Sequence, residues 1–364
     1  MKKDIYDLYI PATLLYVLII LWHSGYLAPY IYSDIVAIWN RPEIHGSGLP
    51  FVSYNYEYQA IVGWITYLAT RWDYNFYILV ISFAMMASLY VLLSVSKRLS
   101  ISNSDLLIYV ISCPTMLIYG FTNWDLILVA FALLSVLLYK HKRFQLAGFS
   151  LGLSIASKLY SLVFLPIFLK ELKTWKERIN LMIFALIGWL IPNLPFLLLN
   201  FQGWFNTWIY HENWGFEDTW LLYLSPNDHT NLPVKIFGFA MMLVVLLHVT
   251  FARKDVLFEE KLLLAGLSWC IFSYVCTPQM VLFLLPLFAL NKVNKSLFYS
   301  SEIANALIIL TWFTVSDPIT ITATPQMASL IRQLIWVVIF IGVFFKGNRL
   351  KGIVREMLKP LPSF

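Results

Sequence analysis

Long apolar runs separated by short polar segments make up most of the chain. Because about 20 apolar residues cross the hydrocarbon core of a bilayer, such runs are typical of membrane-spanning helices. They predict helices over residues 8–31, 76–96, 105–121, 125–140, 179–199, 233–251, 262–276, 279–291, 302–316 and 326–346. The pattern therefore predicts an all-α polytopic membrane protein of about 11–12 membrane-embedded helical segments. We expect a single integral membrane domain over residues 1–364.

Two other apolar segments do not fit as ordinary spans. Residues 144–170 lie between basic clusters but are too few for two full crossings. They predict a re-entrant hairpin with its apex near Lys158, facing a polar cavity; a single tilted helix with Lys158 paired to a carboxylate is the alternative. Residues 60–69 include Trp64 and Tyr67 and end too soon to span, which favours an interfacial helix.

The composition excludes an ordinary soluble domain, since 60% of the residues are hydrophobic and 13% are charged. The net charge of +6 reflects topology and does not indicate a nucleic-acid partner, because 21 of the 26 lysines and arginines flank apolar runs on one side. Five of these lie in the tail from Lys346 to Lys359. The opposite side holds only Arg41 and Arg71, in loops over residues 32–75, 200–232 and 317–325. This positive-inside bias predicts that both termini are cytoplasmic.

The outer loops 32–75 and 200–232 are rich in aromatic residues and carboxylates, so we expect the functional site on the outer face. The second loop is either an acceptor-binding lid or a set of aromatic anchors in the headgroup region. The spacing of His211 and His229 fits no standard metal motif, and we predict no metal and no cofactor. The cysteines lie in apolar runs and predict small buried side chains without a disulfide framework; they are Cys113, Cys270 and Cys276.

Four stretches of the chain resemble the C-type glycosyltransferases. They are Ser33-Asp34 with the later run from Leu49 to Tyr58; Asn123-Trp124-Asp125; Leu146-Ala147-Gly148 through Gly152 to Lys158-Leu159-Tyr160 and Pro166; and Cys276-Thr277-Pro278-Gln279 before Pro286. Their order and spacing are similar to those of the mannosyltransferases that use a polyprenyl-phosphate-mannose donor. The chain departs from that group at Gln59-Ala60, where many members have paired prolines, and at Trp124-Asp125, where many have Gly-Gln.

This resemblance implies a transferase that takes a sugar from a polyprenyl-phosphate donor, with mannose as the sugar. The aspartate of the family's first outer loop corresponds to Asp34. The lysine of its re-entrant region corresponds to Lys158.

Glycosyl transfer to a hydroxyl needs a base and a stabilised leaving group. In a single displacement, which inverts the anomeric centre, we assign the base to Asp34; an N-cap of the helix over residues 35–39 is its alternative role. The donor phosphate needs positive partners, and the candidates are Lys158, Arg332, Arg41 and Arg71. Arg332 lies in the last apolar run, where it either binds phosphate or snorkels to the headgroups.

Five further side chains are candidates for sugar or acceptor binding: Glu57, Tyr56, Asn123, Asp125 and His211. Glu57 and the tyrosines around it alternatively belong to an interfacial aromatic belt. Asn123 and Asp125 open a helix, where capping is the alternative.

These features together predict a multi-pass membrane hexosyltransferase of a prokaryotic plasma membrane or the endoplasmic reticulum membrane. Its expected partners are the sugar donor, a glycan or glycolipid acceptor at the outer or luminal face, and membrane lipid. A transporter or flippase of a lipid-phosphate substrate and a non-catalytic membrane subunit are the alternatives. Turnover that depends on Asp34 distinguishes the enzyme from both.

Overall fold

The structure, a computed structural model, describes residues 3–27, 32–45, 48–253 and 255–345. The described residues form helices and turns, with two isolated bridges and no strand. The helices α1 to α16 are, in chain order, Lys3–His23, Asp34–Trp39, Ala60–Ala69, Tyr74–Arg98, Asn103–Leu106, Pro114–Tyr119, Asp125–Lys140, Phe144–Ser157, Leu165–Glu171, Trp175–Leu199, Phe201–Asn213, Leu232–Leu247, Phe258–Phe272, Leu285–Asn291, Lys295–Trp312 and Thr324–Phe344. The basic tail from residue 346 lies outside the described residues.

Four helical stretches in the described part of the chain are long and apolar enough to cross a membrane. They are α4, α10, α12 with the π turn that extends it to Ala252, and α16. Shorter apolar helices accompany them, among them α3 and α8. The protein is therefore an all-α, integral, multi-pass membrane protein, and that prediction is confirmed.

Some predicted runs are interrupted where proline or a turn intervenes. The run over residues 105–121 is divided into α5, a π turn over Leu107–Ile111, and α6. Cys113 has extended backbone (φ −75°, ψ 149°) because it precedes Pro114, which disfavours a helical conformation in the residue before it. The first run is also shorter than predicted, since α1 ends at His23.

The segment over residues 144–170 folds as a hairpin. The helix α8 ends at Ser157, and Lys158 has extended backbone (φ −160°, ψ 148°) before a 3-10 turn over Leu159–Phe164. The chain then returns to its starting end, because the ring of Tyr139 lies 5.5 Å from that of Phe144 and 4.6 Å from that of Phe168. One continuous helix is therefore excluded, while re-entry from the cytoplasmic side stays a prediction.

Close packing on two sides holds α8 in place. Toward α7, the hydroxyl of Ser154 donates to the carbonyl oxygen of Leu128 at 2.8 Å. Toward α10, a Cβ on Gly152 would lie 2.1 Å from the carbonyl oxygen of Ala185, so only glycine permits this approach of the two backbones. Gly148, four residues earlier, makes the same kind of contact. The helix that ends at Lys158 is therefore fixed along its length.

Replacing Gly152 by alanine is expected to lower the free energy of unfolding by about 1–3 kcal/mol, because the new methyl group meets backbone atoms that no side-chain movement relieves. Transferase activity should fall with it, since α8 positions Lys158. Thermal unfolding in detergent measures the change. Leu146→Ala, on the exposed face of the same helix, is the control. Equal unfolding temperatures for the wild type and Gly152→Ala contradict the proposed contact.

The chain divides into two compact units. The first contains Met1–Trp214 with Gln279–Pro286, and the second contains Gly215–Pro278 with Leu287–Phe364. The outer loop over residues 200–232 is thus shared between them, with α11 in the first unit. The single membrane domain over residues 1–364 stays a prediction.

Candidate active site

Asp34 is the first residue of α2, and Ser33 occupies the cap position before it. The start of this helix is held against the segment that precedes α7, where the amide of Ile35 donates to the carbonyl oxygen of Thr122 at 3.4 Å. The hydroxyl of Tyr77 donates to the carbonyl oxygen of Ile35 at 2.7 Å. These contacts place the Asp34 carboxylate beside the segment that opens α7.

The carboxylate of Asp34 is partly buried and accepts several hydrogen bonds. Asn123 Nδ2 donates to Asp34 Oδ2 at 2.5 Å, and Tyr32 and Tyr58 also hydrogen-bond to the carboxylate. Burial raises the pKa of Asp34 above its usual value, while these bonds and the charge of Lys158 offset part of that rise. Asp34 is therefore a stronger base than an exposed aspartate.

Asn123 is buried, and its amide has one possible orientation. Its Oδ1 accepts a hydrogen bond from the backbone amide of Trp124 at 2.6 Å, so its Nδ2 must face Asp34. The same Nδ2 lies 3.5 Å from the hydroxyl of Tyr58. Asn123 is therefore a positioning residue for the carboxylate.

Asp125, the first residue of α7, is fully buried and is ion-paired with Lys158. Lys158 Nζ donates to Asp125 Oδ2 at 2.7 Å, while Asp125 Oδ1 has no hydrogen-bond partner. The side chain of Lys158 keeps 13% of its surface exposed, and its ammonium lies 5.8 Å from the ring centre of Tyr58. Lys158 thus reaches the surroundings of Asp34, where its charge acts on that carboxylate.

Arg41 and Glu57, both in the first outer loop, form a bidentate ion pair. Arg41 Nη1 donates to Glu57 Oε2 at 2.7 Å, and Arg41 Nη2 donates to Glu57 Oε1 at 2.5 Å. The Arg41 side chain is 37% exposed, whereas that of Glu57 is 13% exposed. Arg71 lies at the end of α3, where it donates to the carbonyl oxygen of Tyr67 and covers the ring of Tyr67.

The tyrosines of the first outer loop occupy different positions. Tyr56 is buried, and its hydroxyl is hydrogen-bonded to that of Thr66 at 2.6 Å. Tyr58 is partly exposed, hydrogen-bonds to Asp34, and has its ring centre 5.8 Å from Lys158 Nζ. The structure therefore gives Tyr58, and not Tyr56, the position closest to the candidate base.

The helix α11 lies against the first outer loop. Thr207 donates to the carbonyl oxygen of Tyr56 at 2.8 Å, and a Cβ on Gly203 would lie 1.8 Å from the carbonyl oxygen of Phe51. His211, one turn beyond Thr207, is hydrogen-bonded through Nδ1 to the carbonyl oxygen of Thr207 at 2.7 Å. Burial lowers the pKa of His211, and the charges of Lys158 and Glu57 act on it. His211 therefore belongs to the same site as Lys158 and Glu57, and its imidazole is neutral there.

Arg332 lies in the second unit and is fully buried. Its guanidinium donates to Asn305 Oδ1 at 2.6 Å and to the carbonyl oxygens of Cys276, at 2.6 Å, and Asp218, at 3.1 Å. It also lies 4.7 Å from the ring centre of Trp336. The side chain does not reach the surface, so it does not snorkel; its phosphate-binding role stays a prediction.

Among the described residues, no group of three or more histidine, cysteine, aspartate or glutamate side chains has an arrangement suited to holding a metal ion. The absence of a metal from the reaction stays a prediction. The chemistry available at this site is proton acceptance by a carboxylate, together with hydrogen bonding and charge from a lysine, an arginine and a neutral histidine.

The family model of glycosyltransferase family 87 matches residues 58–278, more than half of the chain. The chain belongs to glycosyltransferase family 87. No curated protein matches it. It is a glycosyltransferase, which confirms the resemblance to C-type glycosyltransferases. The matched range contains Asn123, Asp125, Lys158 and His211, whereas Asp34 precedes it.

Two residues of this glycosyltransferase family 87 site have a contact with the candidate base that the sequence did not indicate. Tyr32 and Tyr58 both hydrogen-bond to Asp34. In the sequence they belong to a general abundance of tyrosine in the first outer loop, where an interfacial belt explains them equally well. Only their distance to the carboxylate distinguishes them.

Proposed function

We propose that the protein transfers a hexose from a polyprenyl-phosphate donor to a hydroxyl of a glycan or glycolipid acceptor at the outer or luminal face. Mannose is the sugar that the resemblance implies. The observation that carries the proposal is that the partly exposed Asp34 carboxylate and the Lys158 ammonium share Tyr58 as a neighbour: Tyr58 hydrogen-bonds to Asp34, and its ring centre lies 5.8 Å from Lys158 Nζ. The first suits proton acceptance and the second suits phosphate binding, which are the two requirements of the reaction.

In the proposed reaction the acceptor oxygen attacks the anomeric carbon as the bond from that carbon to the phosphate oxygen breaks. Asp34 accepts the hydroxyl proton, and the polyprenyl phosphate leaves as an anion. An ionised carboxylate offers about four acceptor positions, and Asn123, Tyr32 and Tyr58 occupy three of them. One position therefore stays available for the acceptor hydroxyl.

Lys158 is proposed to stabilise the negative charge that grows on the leaving phosphate. Its ammonium has three donors, of which one is directed at Asp125. The exposed part of the side chain allows the others to meet phosphate oxygens. A low-basicity leaving group of this kind needs no general acid, which is consistent with a site that combines one candidate base with positive charge.

Other residues around this centre are proposed to bind sugar or acceptor. Arg41 and Glu57 hold one another in fixed orientation. Glu57 is proposed to bind sugar hydroxyls, and the exposed part of Arg41 is proposed to contact the donor phosphate. His211 is neutral because burial lowers its pKa, so it donates or accepts hydrogen bonds without adding charge. Arg71 is the proposed second contact for the donor phosphate.

The function is tested by incubating purified protein with a radiolabelled polyprenyl-phosphate mannose and membrane lipid acceptors. Product should form from this donor but not from a nucleotide sugar, and chelation with EDTA should leave the rate unchanged. NMR of the product should show the anomeric configuration opposite to that of the donor. Retention of configuration contradicts the single displacement, and transfer from a nucleotide sugar alone contradicts the donor class.

The acid limb of the pH–rate profile is expected to move to higher pH in Asn123→Ala. The base must be ionised, so activity falls as pH drops through the pKa of Asp34, which burial already raises. Removing a hydrogen bond that favours the ionised form raises this pKa further. The measurement is kcat against pH, with the exposed Asn55→Ala as control. Coincident limbs for Asn123→Ala and the wild type contradict the positioning role of Asn123.

A further inference from the structure

The helix α11, Phe201–Asn213, has three sides with different surroundings. Because successive residues of a helix are about 100° apart, residues three, four and seven positions apart share a side. One side carries Gly203 and Thr207, which contact the first outer loop, with His211 one turn further. A second side is polar and consists of Gln202, Asn206 and Asn213.

The third side of α11 is aromatic and consists of Phe201, Phe205 and Trp208. Phe201 is 58% exposed and Phe205 is 42% exposed, and their stacked rings have centres 5.8 Å apart. The ring of Trp208 lies beside that of Trp204, with 5.9 Å between the centres. Glu212 reaches this side in the last turn, so the aromatic surface covers the first two turns. Contiguous exposed rings of this kind mark a binding surface.

The contacts of α11 with the span α10 show what covers this surface. From Arg178 to its end at Leu199, α10 covers about 32 Å, close to the thickness of the hydrocarbon core. Trp204 Nε1 donates to Asn193 Oδ1 at 2.8 Å, and the ring of Trp204 lies 6.1 Å from that of Trp189. Asn193 is about 9 Å before the end of α10 along the helix axis. The first turns of α11 therefore lie at the hydrocarbon boundary and do not project away from the membrane.

The aromatic side also continues the exposed apolar surface of α10. Leu198 and Leu199 end that span and are 77% and 63% exposed. Asn200 then turns inward, where its Nδ2 donates to the carbonyl oxygen of Phe51 at 3.1 Å. We propose that Phe201, Phe205 and Trp208 insert between the headgroups and acyl chains of the lipid bilayer, so that α11 lies in the plane of the membrane.

This arrangement fixes the depth of the first outer loop in the membrane. On other sides of α11, Thr207 donates to the carbonyl oxygen of Tyr56 at 2.8 Å, and Asn206 Nδ2 donates to Asn55 Oδ1 at 3.1 Å. The loop is therefore tied to a helix seated in the headgroup layer. Because α11 contains no lysine or arginine, its aromatic area and not attraction to anionic headgroups holds it there.

The test uses protein in phosphatidylcholine vesicles with a nitroxide label on one introduced cysteine, Phe205→Cys or Asn206→Cys. The native cysteines are buried, and unsubstituted protein measures their background labelling. We expect the label at position 205 to be several-fold more accessible to oxygen, which concentrates in lipid, than to a water-soluble nickel chelate. The label at position 206 should show the reverse. Phe201→Cys and Gln202→Cys should repeat this difference.

Two outcomes of this measurement overturn the proposal. Greater access of the nickel chelate at positions 201 and 205 means that the aromatic side faces water, as a lid would. Immobile labels there with low access to both reagents mean that protein covers this side, such as a second copy of the chain. The readout does not use transferase activity, so its failure is distinct from failure of the proposed function.

A second measurement keeps an aromatic ring at the tested position. With p-benzoylphenylalanine in place of Phe205, irradiation should cross-link tritiated phosphatidylcholine to the α11 peptide. The same replacement of Asn206 should give several-fold less label. A cross-linked dimer from position 205, or equal lipid labelling at the two positions, contradicts insertion of the aromatic side.

Discussion

Replacing Asp34 by asparagine is expected to lower kcat by about 10²- to 10⁴-fold while donor binding is retained. The amide has the shape of the carboxylate, and its oxygen still accepts the hydrogen bond from Asn123. It cannot accept the proton of the acceptor hydroxyl, so the loss falls on the chemical step. The measurement is the initial rate of transfer from radiolabelled polyprenyl-phosphate mannose, with donor affinity determined on the same purified protein.

The matched control for this variant is Glu43→Gln, which also neutralises a carboxylate of the first outer loop, at an exposed position. It should keep the rate of the wild type. Full activity in Asp34→Asn contradicts the base assignment and moves it to Glu57 or Asp125. A comparable loss in both variants means that loop charge in general, and not Asp34, supports the rate.

Replacing Lys158 by methionine is expected to destabilise the protein by about 3–5 kcal/mol, because Asp125 is then a fully buried carboxylate without its ion-pair partner. The KM for the donor should also rise by about 10- to 100-fold, the usual effect of losing one hydrogen bond to a charged group. Thermal unfolding in detergent and steady-state kinetics measure the two effects separately.

The double variant Asp125→Leu/Lys158→Met separates the structural role of the pair from phosphate binding. Removing both charges leaves no unpaired buried carboxylate, so stability should return toward that of the wild type. Donor affinity should stay low, because the ammonium is still missing. Recovery of both stability and donor affinity contradicts the phosphate role of Lys158. It would mean that the ion pair of the wild type has a structural role alone.

Helix positions were predictable where the signal is local. The helix over residues 125–140 has the bounds that its apolar run predicts, and so does α3 over residues 60–69. Each helix begins and ends where the sequence changes between apolar and polar residues over about one helical turn. The run over residues 105–121 was misjudged as continuous because hydropathy does not register the restriction that Pro114 places on the preceding residue.

The partners of the candidate site residues were not predictable. Asp34 and Lys158 were identified by charge at unusual positions, but Asn123 lies 89 residues from Asp34 and Asp125 lies 33 residues from Lys158. The polarity of neighbouring residues does not distinguish an asparagine that caps a helix from one that positions a distant carboxylate. Arg332 is the opposite case. A charged residue in an apolar run is expected either to bind a ligand or to reach the membrane surface, but the guanidinium of Arg332 donates to backbone carbonyl oxygens inside the protein.

The sequence by itself determined the membrane class and the helical fold, and it predicts the side of the membrane on which the site lies. These properties follow from transfer of side chains between water and lipid, which depends on composition along short stretches. The tertiary structure decided which carboxylate is oriented by Asn123, which is neutralised by Lys158, and which arginine is buried in the protein. Those pairings depend on helices that pack closely at glycine and on turns at single residues. A hydrogen bond forms only when donor and acceptor are within about 3 Å. The pattern of polarity along the chain does not encode which residues come that close.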